Sequence, residues 1–155
     1  NIGDVVWPPA TAVSVPRLLS DTPIVVTGYS LSMILAEKLV TAVQRGTANT
    51  RWRDFSDVYL LTGKYPLHAH EVRESIRRVA QHRQASLAPL ALVWAGLAEF
   101  AQSKWAAWVR KQNLSDRLPM TFETVVSANQ VFAEPLMKES DSDSVWNPAA
   151  RRWST

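Results

Sequence analysis

The sequence predicts an α+β protein, mostly α, with short strands at the N-terminus followed by about five helices. Two patterns carry that prediction: a valine-rich opening over residues 4–27 punctuated by proline and glycine, and apolar spacings of three and four that recur from residue 30 to residue 139. Composition agrees, since 46% hydrophobic and 20% charged residues in a chain of 155 suit one globular core.

In the opening, "DVVW", "AVSV" and "TPIVVTG" read as two or three short strands. Helical lettering begins after Tyr29 and Ser30; Ser30 is a fitting N-cap, Tyr29 is placed to staple onto Ile34, and Gly46 stops the helix. A second helix is predicted over 51–62, with Asn49 or Thr50 as cap and Gly63 as stop. The third, over 68–83, shows a narrow stripe of Val72, Ile76, Val79 and Ala80 flanked by arginines. The fourth, over 90–112, aligns Trp94, Leu97, Ala101, Trp105 and Trp108 on one face, a core stripe. The fifth, over 121–139, takes Thr121 as N-cap and Glu123 in its first turn, and Pro135 should kink or end it. The tail, 140–155, is polar and reads as irregular, with Trp146 and Trp153 holding it against the body. The expected divisions are therefore 1–29, 30–139 and 140–155.

The absence of cysteine excludes disulfides, thiolate metal sites and a cysteine nucleophile. The longest uncharged helical run, residues 87–98, is too short to span a bilayer, and no segment has the pattern of a signal peptide. A soluble, cytoplasmic protein with no membrane partner is the expectation. Net charge is only +3, but Arg73, Arg77, Arg78 and Arg83 concentrate on one predicted helix and offer a surface to a polyanion.

Two charge clusters interrupt apolar lettering in "ILAEKLVTAVQRGTANTRWRDFSDVYLL". Wound at roughly 100° per residue, residues 30–46 collect Ser30, Glu37, Lys38, Thr41, Gln44 and Arg45 into a sector of roughly 120°, with Ile34 as its one apolar member. The remaining circumference is apolar, so this strip is the part left to face a cleft or solvent. On the second helix Asp54 shares a face with Val58 and Leu61, where a carboxylate must be paired, because burying a lone charge costs several kcal/mol. Arg53 and Asp57 are spaced for an ion pair along the helix. Two readings follow. Lys38 and Asp54 form a structural pair between helices, or Lys38, Arg53 and Asp54 converge across "RGTANT" to hold an anionic ligand. His68 and His70 lie two apart, and on a helix that spacing does not converge on a metal, so they read as surface histidines. There is no phosphate-binding glycine loop, no Ser/His/Asp order and no nucleophile elbow.

The stretch "GYSLSMILAEKLVTAVQRGTANTRWRDFSDVYLL" resembles the AbiEii/AbiGii family of nucleotidyltransferase toxins. The matching residues are Tyr29 before the helix, "AEK" at 36–38, and "NTRWRDFSD" at 49–57, which is similar to that family's N-[ST]-R-x-K-D-x-x-D pattern with Arg53 in the lysine position. "GDVV", "VPRLL", "VAQHRQASL" and "WNPAARRW" are similar as well, so the resemblance covers most of the chain.

The resemblance implies the C-terminal part of a DNA polymerase β-like nucleotidyltransferase, the toxin of a type IV toxin–antitoxin or abortive-infection pair. Such an enzyme transfers NMP from NTP, in some members to tRNA, with Mg²⁺ as cofactor and a cognate antitoxin as partner. Lys38 and Asp54 are then the catalytic residues, Lys38, Arg53 and Asp57 bind nucleotide, and Arg73, Arg77, Arg78 and Arg83 contact tRNA or other RNA. The family's Gly-Ser motif and metal-binding aspartates do not occur in this sequence. The expectation is therefore of a piece of a longer protein, with no metal ligand of its own and no transfer activity in isolation. The alternative is a non-catalytic helical module that binds an antitoxin or nucleic acid through the arginine-rich helix.

Overall fold

A computed structural model describes residues 6–138 and 143–154. It is α+β: six α-helices and two small antiparallel sheets among the described residues. Strands β1 (Thr11–Val15) and β2 (Ile24–Gly28) pair in register from Thr11 opposite Gly28 to Val15 opposite Ile24. This ribbon stands almost free. Val13, Val15, Val25 and Val26 are exposed, as are Leu18 and Leu19 in the connection. A third strand at "DVVW" does not form at Val6 and Trp7, while Asp4 and Val5 lie outside the described residues.

Helix α1 (Leu31–Arg45) starts as its sequence predicts: the Ser30 side chain accepts a hydrogen bond from the Met33 N–H at 3.2 Å. It ends at Gly46, whose φ of 51° and ψ of −138° suit glycine alone. Leu35, Ala36, Leu39 and Val40 are buried, and α1 packs against both α2 (Trp52–Thr62) and α3 (Ala69–His82). Helix α2 takes neither Asn49 nor Thr50 as its cap. Arg51 holds that position, and Asn49 acts one step earlier, its Oδ1 accepting from the Arg51 N–H at 2.8 Å. The predicted stripe of α3 is buried throughout, at Val72, Ile76, Val79 and Ala80.

The single helix expected over 90–112 is two, α4 (Leu90–Val93) and α5 (Leu97–Lys111). Gly96, left-handed at φ 72°, breaks the run, because a residue without Cβ pays little to leave the helix there. The tryptophan stripe survives the break: Trp94, Leu97, Ala101 and Trp105 are buried and Trp108 packs on them. Helix α6 (Phe122–Ala133) stops before Pro135, which lies in a 3₁₀ turn, Glu134–Leu136. Thr121 holds the N-cap backbone of α6 without a side-chain bond, and Glu139, the predicted end of the helix, lies outside the described residues. Phe55, Trp94, Trp105 and Phe122 join the helices in one aromatic cluster, the last two stacked at 4.8 Å.

In the C-terminal segment the described residues, 143–154, include two strands, contrary to the irregular tail read from its polarity. Strands β3 (Leu67–His68), β4 (Val145–Asn147) and β5 (Arg152–Ser154) form a sheet in that order. Trp146 anchors it, fully buried, with its indole N–H donating to the Thr62 carbonyl at 2.7 Å; Trp153 donates to the Phe132 carbonyl at 2.9 Å. One buried and one partly buried tryptophan outweigh the polar residues around them. No described helix is long and apolar enough to cross a membrane.

Candidate active site

The polar strip of α1 is one wall of a cavity of about 650 Å³. Glu37, Lys38, Thr41, Gln44 and Arg45 line it, together with Ile34, the apolar member of the same sector. Tyr29, just before α1, lines it as well. The start of α2 contributes Arg51 and Asp54, and Arg83 reaches in from the end of α3.

Lys38 is held from two directions. Its Nζ lies 3.2 Å from Asp54 Oδ1 and 2.7 Å from Asp57 Oδ2, acceptors one helical turn apart. Asp54 is buried, 5% exposed at its side chain, whereas Lys38 retains 18% and so keeps an edge toward the cavity. The carboxylate also lies in the first turn of α2, where the helix dipole favours negative charge. Arg51 Nε is 2.7 Å from Asp54 Oδ2 but its N–H is poorly aligned, so this is a charge contact and that buried oxygen has no hydrogen-bond donor.

Arg83 donates from Nη1 to Thr41 Oγ1 at 2.8 Å and pairs through Nη2 with Glu37. Thr41 in turn donates to the Glu37 carbonyl at 2.7 Å. The guanidinium is thereby laid along the α1 strip. Four cationic side chains, Lys38, Arg45, Arg51 and Arg83, line the cavity against two carboxylates, Glu37 and Asp54.

Sequence spacing places some of these residues and misses others. Lys38, Asp54 and Asp57 meet. Arg53 does not join them: it is exposed on α2 outside the cavity, and the expected Arg53–Asp57 pair is replaced by Asp57 on Lys38. Arg51 occupies the place expected for Arg53, because it precedes the first helical residue and is free of the helical wheel. Arg83 belongs to the cavity and not to the outer face of α3. Its spacing from Val79 and Ala80, four and three residues, is a signal that could have placed it on the inner face.

On that outer face, Arg77 makes two hydrogen bonds to Glu74, at 2.8 and 2.7 Å, and Arg78 makes one at 2.6 Å. The bond from Arg77, with help from Arg78, lowers the Glu74 pKa from 4.5 to about 2, and the Arg77 pKa is raised in return. Arg78 also lies over the Trp7 ring, while Arg73 is half-buried, its Nε without a partner.

Fold and site together define a helical α+β protein with a lysine, braced by two aspartates, at the wall of a cation-rich cavity. The chain belongs to the family described as nucleotidyl transferase AbiEii toxin, type IV TA system, whose family model matches residues 1–134. That span takes in every cavity residue and stops short of β4 and β5. No curated protein and no solved structure matches the chain.

Proposed function

We propose that the cavity grips the triphosphate of an NTP and forms part of the transfer site of a toxin that moves NMP onto RNA, with tRNA as the acceptor. The observation that carries this reading is Lys38, fixed by Asp54 and Asp57 yet open to a cavity with three arginines. Its ammonium is a point charge for phosphate oxygens, and the planar guanidinium of Arg83 or Arg51 offers paired donors to them. Asp54 acts on Lys38: it keeps the amine aimed, so that little rearrangement is needed as negative charge shifts toward the leaving pyrophosphate.

Nucleotidyltransferases as a class use Mg²⁺ with NTP. The carboxylates of this cavity do not fit that ion. Glu37 is paired with Arg83, and Asp54 lies between Lys38 on one oxygen and Arg51 on the other, whereas Mg²⁺ takes free oxygen ligands in a regular octahedron. We therefore assign no metal step to these residues; their part is phosphate charge.

Three further assignments belong to the same reading. Residues 1–29 are a remnant of the nucleotidyltransferase sheet, a reading supported by the β1–β2 ribbon, whose exposed valines would leave it marginal alone. Residues 30–139 supply the helical domain, and 140–155 are its C-terminal tail. The face of α3 bearing Arg73, Arg77 and Arg78 meets RNA, and a cognate antitoxin controls the protein, as in other type IV pairs.

The test is a titration with each of the four NTPs and the matching nucleosides. The triphosphates should bind more tightly, and Lys38→Ala and Arg83→Ala should each weaken them about tenfold or more, the equivalent of one charge-assisted bond. Equal affinity for NTP and nucleoside would sink the proposal.

A further inference from the structure

The spacing argument against a metal at "HAH" holds only if both histidines lie on one helix, and they do not. His68 is the last residue of β3, with extended φ of −87° and ψ of 129°, and His70 is the second residue of α3. The change from strand to helix between them swings the side chains to the same side, with ring centroids 5.7 Å apart. Asp143, just before β4, meets them there: His70 Nδ1 lies 3.0 Å from its Oδ1.

One donor atom from each of the three residues lies within 4.8 Å of the others. All three side chains are exposed, but the backbone beneath them is fixed. Leu67 pairs with Trp146 and His68 with Val145, and the Ala69 N–H donates to the Ser144 carbonyl at 2.9 Å. Leu67, Ala69 and Trp146 are buried. A tetrahedral zinc with bonds of about 2.0–2.1 Å needs donors roughly 3.3 Å apart. The exposed tips have room to rotate toward that closure.

We propose that His68, His70 and Asp143 form a surface site for a borderline divalent cation of the Zn²⁺ class, with water at the open position. Two imidazoles and one carboxylate select such a cation over Mg²⁺, which takes oxygen ligands. The site departs from the sequence expectation of no metal ligand in this chain. None of its residues lines the Lys38 cavity, so it does not depend on the nucleotide reading. Bound metal would clamp the start of α3 to the approach of β4, fastening the C-terminal sheet to the helical body.

The experiment titrates the full chain with Co²⁺, followed by its visible d–d bands, and then displaces the cobalt with Zn²⁺. One cobalt per chain is expected, bleached by Zn²⁺ and unaffected by excess Mg²⁺. His68→Ala, His70→Ala and Asp143→Ala should each weaken binding at least about tenfold, since even outer-shell losses cost that much. Zn²⁺ should also raise the melting temperature of the parent chain and leave that of the His70→Ala variant unchanged. These positions are exposed, and the far-ultraviolet circular dichroism of each variant checks its fold. Absence of a cobalt band, a band retained by the double variant H68A/H70A, or displacement by Mg²⁺ overturns the assignment.

Discussion

Lys38 on α1 and Asp54 on α2 form an ion pair at the cavity wall, 3.2 Å from Nζ to Oδ1, in which the acid is buried and the base is the more exposed member. The pair is unequal in a second way. Lys38 has another carboxylate, Asp57 at 2.7 Å, while Asp54 keeps only a poorly aligned Arg51 if the lysine is removed.

That asymmetry predicts an order of stabilities. Lys38→Ala leaves a buried carboxylate underpaired and two acids one turn apart, and should cost about 2–3 kcal/mol, toward the lower end for breaking a buried pair because Arg51 gives partial cover. Asp54→Ala leaves Lys38 on Asp57 and should cost about 1–2 kcal/mol, one charged hydrogen bond. Urea denaturation of both variants and the double variant measures the order and the coupling. A lysine variant no less stable than the aspartate variant would show that Arg51 alone satisfies the buried Asp54 carboxylate.

The geometry of this pair is legible in the amino-acid sequence. A helical wheel isolates the polar strip of α1 and puts Asp54 on an apolar ridge, because both residues lie inside regular helices. Periodicity fails where the chain changes state. Arg51 caps α2 from outside it, Arg83 is the cap residue ending α3, and His68 and His70 straddle a strand and a helix. The break at Gly96 is hidden because one glycine in an apolar run is compatible with a continuous helix. Strands β4 and β5 have three residues each, too few for alternation to register.

The tail makes a second prediction, since its order rests on Trp146. The indole is fully buried, packs edge-on against Phe132 at 4.9 Å, and satisfies the Thr62 carbonyl at the end of α2. Trp146→Ala should cost about 3–5 kcal/mol, as for other buried aromatic residues, and Trp146→Phe about 1–3 kcal/mol because the carbonyl loses its donor. Denaturant unfolding checks both. A loss under about 1 kcal/mol for the alanine variant would mean that β4 and β5 fold apart from the core.

The third prediction concerns Glu74, whose carboxylate accepts from Arg77 and Arg78 on the outer face of α3. Its pKa falls from 4.5 to about 2 on folding, so the group contributes stability above its unfolded value and loses that contribution as pH falls through the folded one. Glu74→Gln removes the titration. The parent chain should therefore be more stable than the variant by a constant small margin at neutral pH; the margin should shrink below about pH 4.5 and vanish near pH 2. Added salt should narrow it at neutral pH, because the group is only partly shielded from solvent. Melting temperatures of both proteins across that pH range decide the matter: a margin independent of pH would show that Glu74 holds its arginines by shape and packing and not by charge.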